Sequence, residues 1–209
     1  MATMVAVAGG KGGSGKTTTA LGLLQAAAAD GTAALAVDAD ADMPDLHRLA
    51  GVDRAPGLGD GPPDEVGQPV PGAPGAGVVA APTDGEVSVA ALSRVRRAAP
   101  LSFVDAPAGV GRDAAVPLRA ADTAVVVTTP SPAGLRDAAR TAAMARALET
   151  PVAGAVVSRA DRPPDGLESL FDAPVLAAVP AVDAPLSAPA ALQAHERVLS
   201  SLPERTGNT

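Results

Sequence analysis

Cysteine is absent from this chain of 209 residues, and so are tryptophan and tyrosine; two phenylalanines are its only aromatic side chains. The first absence excludes disulfides, thiolate metal sites and cysteine nucleophiles. The second leaves Val, Leu and Ala to build the core. The length suits one sizeable core, most simply a single domain over residues 1–209. No run of about 18 apolar residues occurs, so nothing reads as a transmembrane helix. The first apolar run begins at Met4, which leaves no room for a signal peptide, and a cytoplasmic location is expected. Lysine is nearly missing as well: Lys11 and Lys16 stand alone among 16 basic residues, the rest being arginine. The net charge of −7 argues against unspecific attraction to DNA or to anionic lipid, so nucleic acid is not an expected partner. The weight of Asp and Arg fits a high-GC genome. A salt-loving source is a second reading, since an acidic surface repels itself little where the Debye length is about 3 Å.

What the chain does carry is Gly10-Lys11-Gly12-Gly13-Ser14-Gly15-Lys16-Thr17, placed after the apolar Met4–Ala8 and before a proline-free, alanine-rich stretch from Thr18 to Ala29. Strand, glycine-rich turn and helix are the context that a phosphate-binding loop requires. Gly12, Gly13 and Gly15 are expected to adopt backbone conformations that a side chain would block, so that successive N–H groups converge on phosphate oxygens. The positive end of the helix dipole adds to the same place. Lys16 would bind the β- and γ-phosphates, and the Thr17 hydroxyl would help hold Mg2+. The stretch from Gly10 to Thr18 therefore reads as nucleotide-binding.

Lys11 sharpens the reading. Lys-Gly-Gly-x-Gly-Lys-Thr-Thr resembles the deviant Walker A motif of the MinD/ParA ATPases. The resemblance implies that Lys11 reaches across a dimer interface to a partner's phosphates, so that Lys11 and Lys16 both act in catalysis. Ala33–Val37 reads as a buried strand ending in Asp38-Ala39-Asp40, two carboxylates where open α/β sheets bind ligands. The pair resembles the family's switch I Asp-x-Asp. That implies a water-orienting role for Asp40 and support of Mg2+ by Asp38. Leu101–Asp105 followed by Ala106-Pro107-Ala108-Gly109 resembles a Walker B element of the MinD type. Asp105 would then serve the metal ion, and Gly109 would turn its N–H toward the γ-phosphate.

Further strands are expected at Gly77–Pro82, Ala124–Pro130, Val152–Val157 and Val175–Val179. Helices are expected at Glu86–Ala99, Pro132–Leu148 and Leu186–Leu202. In the helix from Glu86, Val87, Ala90, Ala91 and Val95 share a face; Asp30-Gly31 reads as the stop of the first helix. The Gly- and Pro-rich stretch at about 52–76 reads as a long surface loop. These elements predict a three-layer P-loop NTPase fold, with about seven mostly parallel strands flanked by helices. Leu135-Arg136-Asp137-Ala138-Ala139-Arg140 resembles a MinD helix motif. Ser158-Arg159 stands where relatives often have Asn-Arg at the adenine, and Pro180-Ala181-Val182-Asp183 resembles their Pro-x-Asp turn near the base. Ser158 lacks the paired donor and acceptor of an amide. His47 reads as a surface or partner contact. The tail, Pro203 to Thr209, is short and polar and lacks the faces of a membrane-binding helix, so no direct membrane anchor is expected.

The resemblance as a whole implies a MinD-like ATPase that dimerises with ATP, binds an unidentified protein partner in one nucleotide state, and serves spatial positioning or regulation. The alternatives are a regulatory module that holds nucleotide with little hydrolysis, and a ParA-like DNA segregation ATPase.

Overall fold

A computed structural model describes residues 2–203. In chain order the elements are β1 (Thr3–Ala8), α1 (Lys16–Ala29), β2 (Ala34–Asp38), α2 (Leu46–Ala50), α3 (Pro63–Val66), β3 (Gln68–Pro69), β4 (Ala76–Val79) and α4 (Val89–Ala98). They continue with β5 (Leu101–Asp105), α5 (Arg112–Ala120), β6 (Thr123–Thr128), α6 (Pro132–Ala147), β7 (Val152–Ser158), α7 (Leu167–Phe171), β8 (Val175–Val179) and α8 (Pro189–Ser200). The eight strands form one sheet in the order β3-β4-β2-β5-β1-β6-β7-β8. Only the β3–β4 pairing is antiparallel. The fold is the expected three-layer α/β architecture.

Parallel strands covered on both faces read as continuous apolar runs, and β1 and β6 do. Along β1 the side chains alternate between two cores. Val5 and Val7 pack with Leu21, Leu24 and Phe103 and with Ala194 and Val198, on the face that α1 and α8 cover. Met4 packs with Leu92 and Val95 of α4, and Ala6 and Ala8 with Leu118 of α5 on the other face. Helix α1 is buried nearly all round, because the sheet lies against one side and α8 against the other. Gly22 permits that contact: a β-carbon there would run into the His195 ring. Helix α1 stops as expected, with Gly31 at φ 75° and Thr32 N–H donating to Ala27 O at 2.8 Å.

Two expectations need correction. The stretch at 52–76 is not a loose surface loop but a strap docked on the sheet edge, with Leu58, Val66, Val70 and Ala73 buried. It contains α3 and the eighth strand, β3. Leu58 N–H donates to Ala80 O at 2.8 Å, and the Gln68 amide both accepts from Asp53 N–H and donates to Asp53 O at 2.9 Å. Four scattered anchors leave no period to read. In α4 the buried side chains are Leu92 and Val95, whereas Ala90 is exposed. Helices α5 and α7 carried no expectation. Pro117 lies inside α5, past its midpoint, where it removes one backbone hydrogen bond and masks the helix in the sequence.

Among the described residues no helix is long and apolar enough to cross a membrane. The polar tail at 204–209 lies outside them.

Candidate functional site

Sheet order reverses around β1, whose neighbours β5 and β6 come later in the chain, and the glycine-rich loop leaves β1 at its carboxyl end. That crevice is where open α/β sheets hold ligands. Gly13 at φ 73° and Gly15 at φ 94° take left-handed conformations that L side chains avoid, and Gly15 caps α1. Gly12 differs from expectation: it is not left-handed, and a β-carbon there would meet nothing. The unforeseen constraint lies earlier, at Gly9 and Gly10. A β-carbon on Gly9 would lie 2.6 Å from Val127 O, and one on Gly10 would collide with the backbone of Asp137 in α6.

Lys16, the first residue of α1, is buried at 8% exposure, and no carboxylate of the described residues pairs with it. The buried Ser14 Oγ also has no hydrogen-bond partner. An ammonium free of ion pairs among the described residues, at the N-terminus of α1 and beside the left-handed loop, makes an anion site. Thr17 and Thr18 continue the helix from Lys16. Lys11 stays exposed at the rim, where it borders a pocket of about 120 Å³ with Gly10, Gly12, Gly13, Ser14, Gly134 and Arg159.

Asp38 and Asp105 are register partners at the ends of the adjacent strands β2 and β5. Asp38 is fully buried; its Oδ1 accepts from Asp40 N–H at 3.0 Å and its Oδ2 from Leu46 N–H at 3.1 Å. Burial pushes its carboxyl up to about 6. Asp105 is 3% exposed, its Oδ1 has no partner, and burial pushes it up to about 7, against the pull of the Thr17 hydroxyl and the Lys16 ammonium. Asp40 is half-buried, and its Oδ1 accepts from Met43 N–H at 3.0 Å. Gly109 is left-handed at φ 99°, and its N–H points at Gly9 O across 3.3 Å.

Ser158, Arg159, Pro180 and Asp183 do come together. With Gly15, Thr18 and Thr19 they line a cleft of about 430 Å³ running from the loop. His195, which no motif or spacing singles out, also borders this cleft. It is fully buried on α8, both ring nitrogens lack partners, and burial pushes it down to about 4. A lone histidine on an amphipathic helix carries no signal of its own. His47 is half-buried on α2 and apart from this cleft.

The profile of the CobQ/CobB/MinD/ParA nucleotide-binding domain matches residues 5–193. The chain belongs to that family. It is 30% identical over 204 residues to an uncharacterised ATP-binding protein of Methanocaldococcus jannaschii, covering 86% of this chain and 75% of the relative. Among solved structures it is similar to the septum site-determining protein MinD of Pyrococcus horikoshii, complexed with Mg-ADP. There the TM-score is 0.85 at 22% identity, over 99% of this chain and 98% of that one. It is also similar to the cell division ATPase MinD of Pyrococcus furiosus, with a TM-score of 0.82 at 24% identity over 96% and 98% of the two chains.

The family's ligand chemistry fits the residues present. The orphaned Asp105 oxygen, the Thr17 hydroxyl beside it and a Lys16 free of ion pairs suit a metal-bound polyphosphate. Among the described residues no group of three or more His, Asp or Glu could hold an ion alone, so phosphate and water would supply most of a Mg2+ shell. The loop's position against α6 is testable without ligand. Gly10→Ala is expected to destabilise the empty protein by about 1–3 kcal/mol, the range for forcing an atom into packed structure. Gly12→Ala, at an open position, should leave the urea midpoint almost unchanged.

Proposed function

We propose that this chain is a MinD-like ATPase of the P-loop type, an ATP-dependent dimerising switch whose nucleotide state selects a protein partner. The observation that carries the proposal is the Lys16 ammonium, free of ion pairs among the described residues at a left-handed glycine loop, with Asp38 and Asp105 side by side at the ends of β2 and β5. Lys16 and the loop amides bind the β- and γ-phosphates. Thr17 and Asp105 hold Mg2+, with Asp38 in support, and the ion offsets phosphate charge when bound. Asp38 also fixes switch I by accepting from Asp40 and Leu46 N–H. Asp40, anchored through one oxygen, turns the other toward the attacking water. Catalysis is then positioning and charge neutralisation.

Lys11, exposed at the rim, serves the phosphates of a second copy in the ATP state. The protein works in the cytoplasm, and its output is spatial or regulatory.

Solution mass with Mg-ATP and with Mg-ADP tests this, together with phosphate release. The expected result is a dimer with ATP only, retained in Asp40→Ala with turnover lowered about 100-fold or more, and lost in Lys11→Ala. A monomer in every state sinks the dimerising switch. Turnover unaffected by Asp40→Ala removes that residue from catalysis and leaves a module that holds nucleotide.

A further inference from the structure

Ser158 ends β7 directly beneath the phosphate loop, at 7% exposure. Its Oγ lies 2.6 Å from Ser14 O and 3.1 Å from Thr128 O. A hydroxyl has one proton, so the short contact is the bond it donates and Thr128 O takes the weaker branch. Gly15 presses on the same side chain: a β-carbon at Gly15 would sit 3.2 Å from Ser158 Cβ and 3.4 Å from Oγ. That leaves little room for a longer side chain pointing the same way. The hydroxyl is therefore spent on the loop backbone rather than held free for a nucleobase.

The bond has a directional consequence. Ser14 O and the Gly15 N–H belong to one peptide unit, and in a trans peptide the carbonyl and the N–H point in opposite directions. Holding the carbonyl down onto β7 turns the Gly15 N–H up, toward the side on which Lys16 begins its helix. A cradle for phosphate needs its N–H groups aimed in advance, because a peptide free to flip would present a carbonyl dipole to the anion half the time. The next residue is fixed as well. Arg159 is held left-handed at φ 57°, and Ala160 N–H donates to Val179 O at 3.0 Å.

We infer that Ser158 is a positioning residue for the phosphate loop: its hydroxyl orients the Ser14–Gly15 peptide so that Gly15 N–H faces the polyphosphate. This rests on the nucleotide-binding reading above and deepens it. It assigns Ser158 to the phosphate end of the ligand, where the resemblance to relatives had placed it at the base.

Titration calorimetry with two probes separates the ends. Mg-ADP has phosphates and a base; magnesium tripolyphosphate has phosphates only. Ser158→Ala is expected to weaken both by a similar factor, roughly tenfold, the effect of one lost orienting hydrogen bond to a cradle amide. Ser158→Cys keeps nearly the same volume with a much weaker donor. It should show the same parallel loss, and it carries the test if the alanine variant does not fold. Titrations are run well below each variant's unfolding midpoint, so a purely structural role would lower that midpoint and leave both affinities intact. Loss of Mg-ADP affinity with tripolyphosphate unchanged would make Ser158 a base contact and overturn the inference, as would no loss with either probe. If the wild type bound neither probe, the nucleotide-binding reading would fail first.

Discussion

Replacing Lys16 by Met is expected to lower the affinity for Mg-ADP by about 100-fold or more, since a charge-assisted contact to phosphate is among the strong ones. The same substitution should leave the empty protein at least as stable as the wild type. Lys16 is 8% exposed as a residue and makes no ion pair among the described residues, so removing its charge forfeits no contact in the empty protein. Methionine has a similar length and can lie along the same path without that charge. Thermal unfolding without nucleotide and calorimetry with Mg-ADP measure the two halves separately. The informative result is the contrast between them: a side chain that confers binding and adds nothing to the stability of the empty protein. A variant that unfolds more easily yet binds as before would make Lys16 a packing residue and remove the anion site from the argument.

Acidification gives the second large effect, through His195. The ring is fully buried between α8 and Gly22 of α1, and neither nitrogen has a partner. Burial pushes it from the ordinary 6.5 down to about 4. The unfolded chain therefore binds the proton first as pH falls. Stability attributable to the neutral ring is complete above pH 6.5 and is lost progressively toward pH 4. A shift of that size corresponds to about 3 kcal/mol, a large share of a typical domain's stability. Asp38 and Asp105 act with the opposite sign. Their raised carboxyls favour the folded state as pH falls from about 7 toward the ordinary 3.8, so the wild-type slope alone would blur the effect. Comparison with His195→Leu isolates it. The stability difference, wild type minus variant, should fall by about 3 kcal/mol between pH 7.5 and pH 4, measured by urea unfolding. A difference independent of pH would mean that the ring finds a partner in solution and does not stay neutral for want of one.

The family profile and the left-handed Gly13 and Gly15 agree with what the motifs implied. Those features were legible because each is local. A glycine loop between a strand and a helix needs its residues at fixed sequence spacing. An apolar run closed by an aspartate marks the end of a buried strand wherever that strand lies in the sheet. The seven parallel strands were readable for the same reason, since burial on both faces leaves a continuous apolar signature. The strap at 52–76 was not, because Leu58, Val66, Val70 and Ala73 are spaced by the shape of the sheet edge rather than by any period of their own. Helix α5 escaped because Pro117, past the middle of the helix, reads as a breaker, although it removes a single backbone hydrogen bond.

By itself, then, the sequence determined the layered α/β plan, the phosphate loop with its two lysines, and the three aspartates set around it. Each follows from short-range rules of backbone conformation and strand burial. Only the tertiary structure decided which partners the remaining groups meet. It laid α8 on Gly22 and so buried His195 without a hydrogen bond. It packed Gly10 on α6, and it brought Ser158 under Ser14 from 144 positions away. Contacts of that kind depend on the distance between packed layers, which no local pattern of residues encodes.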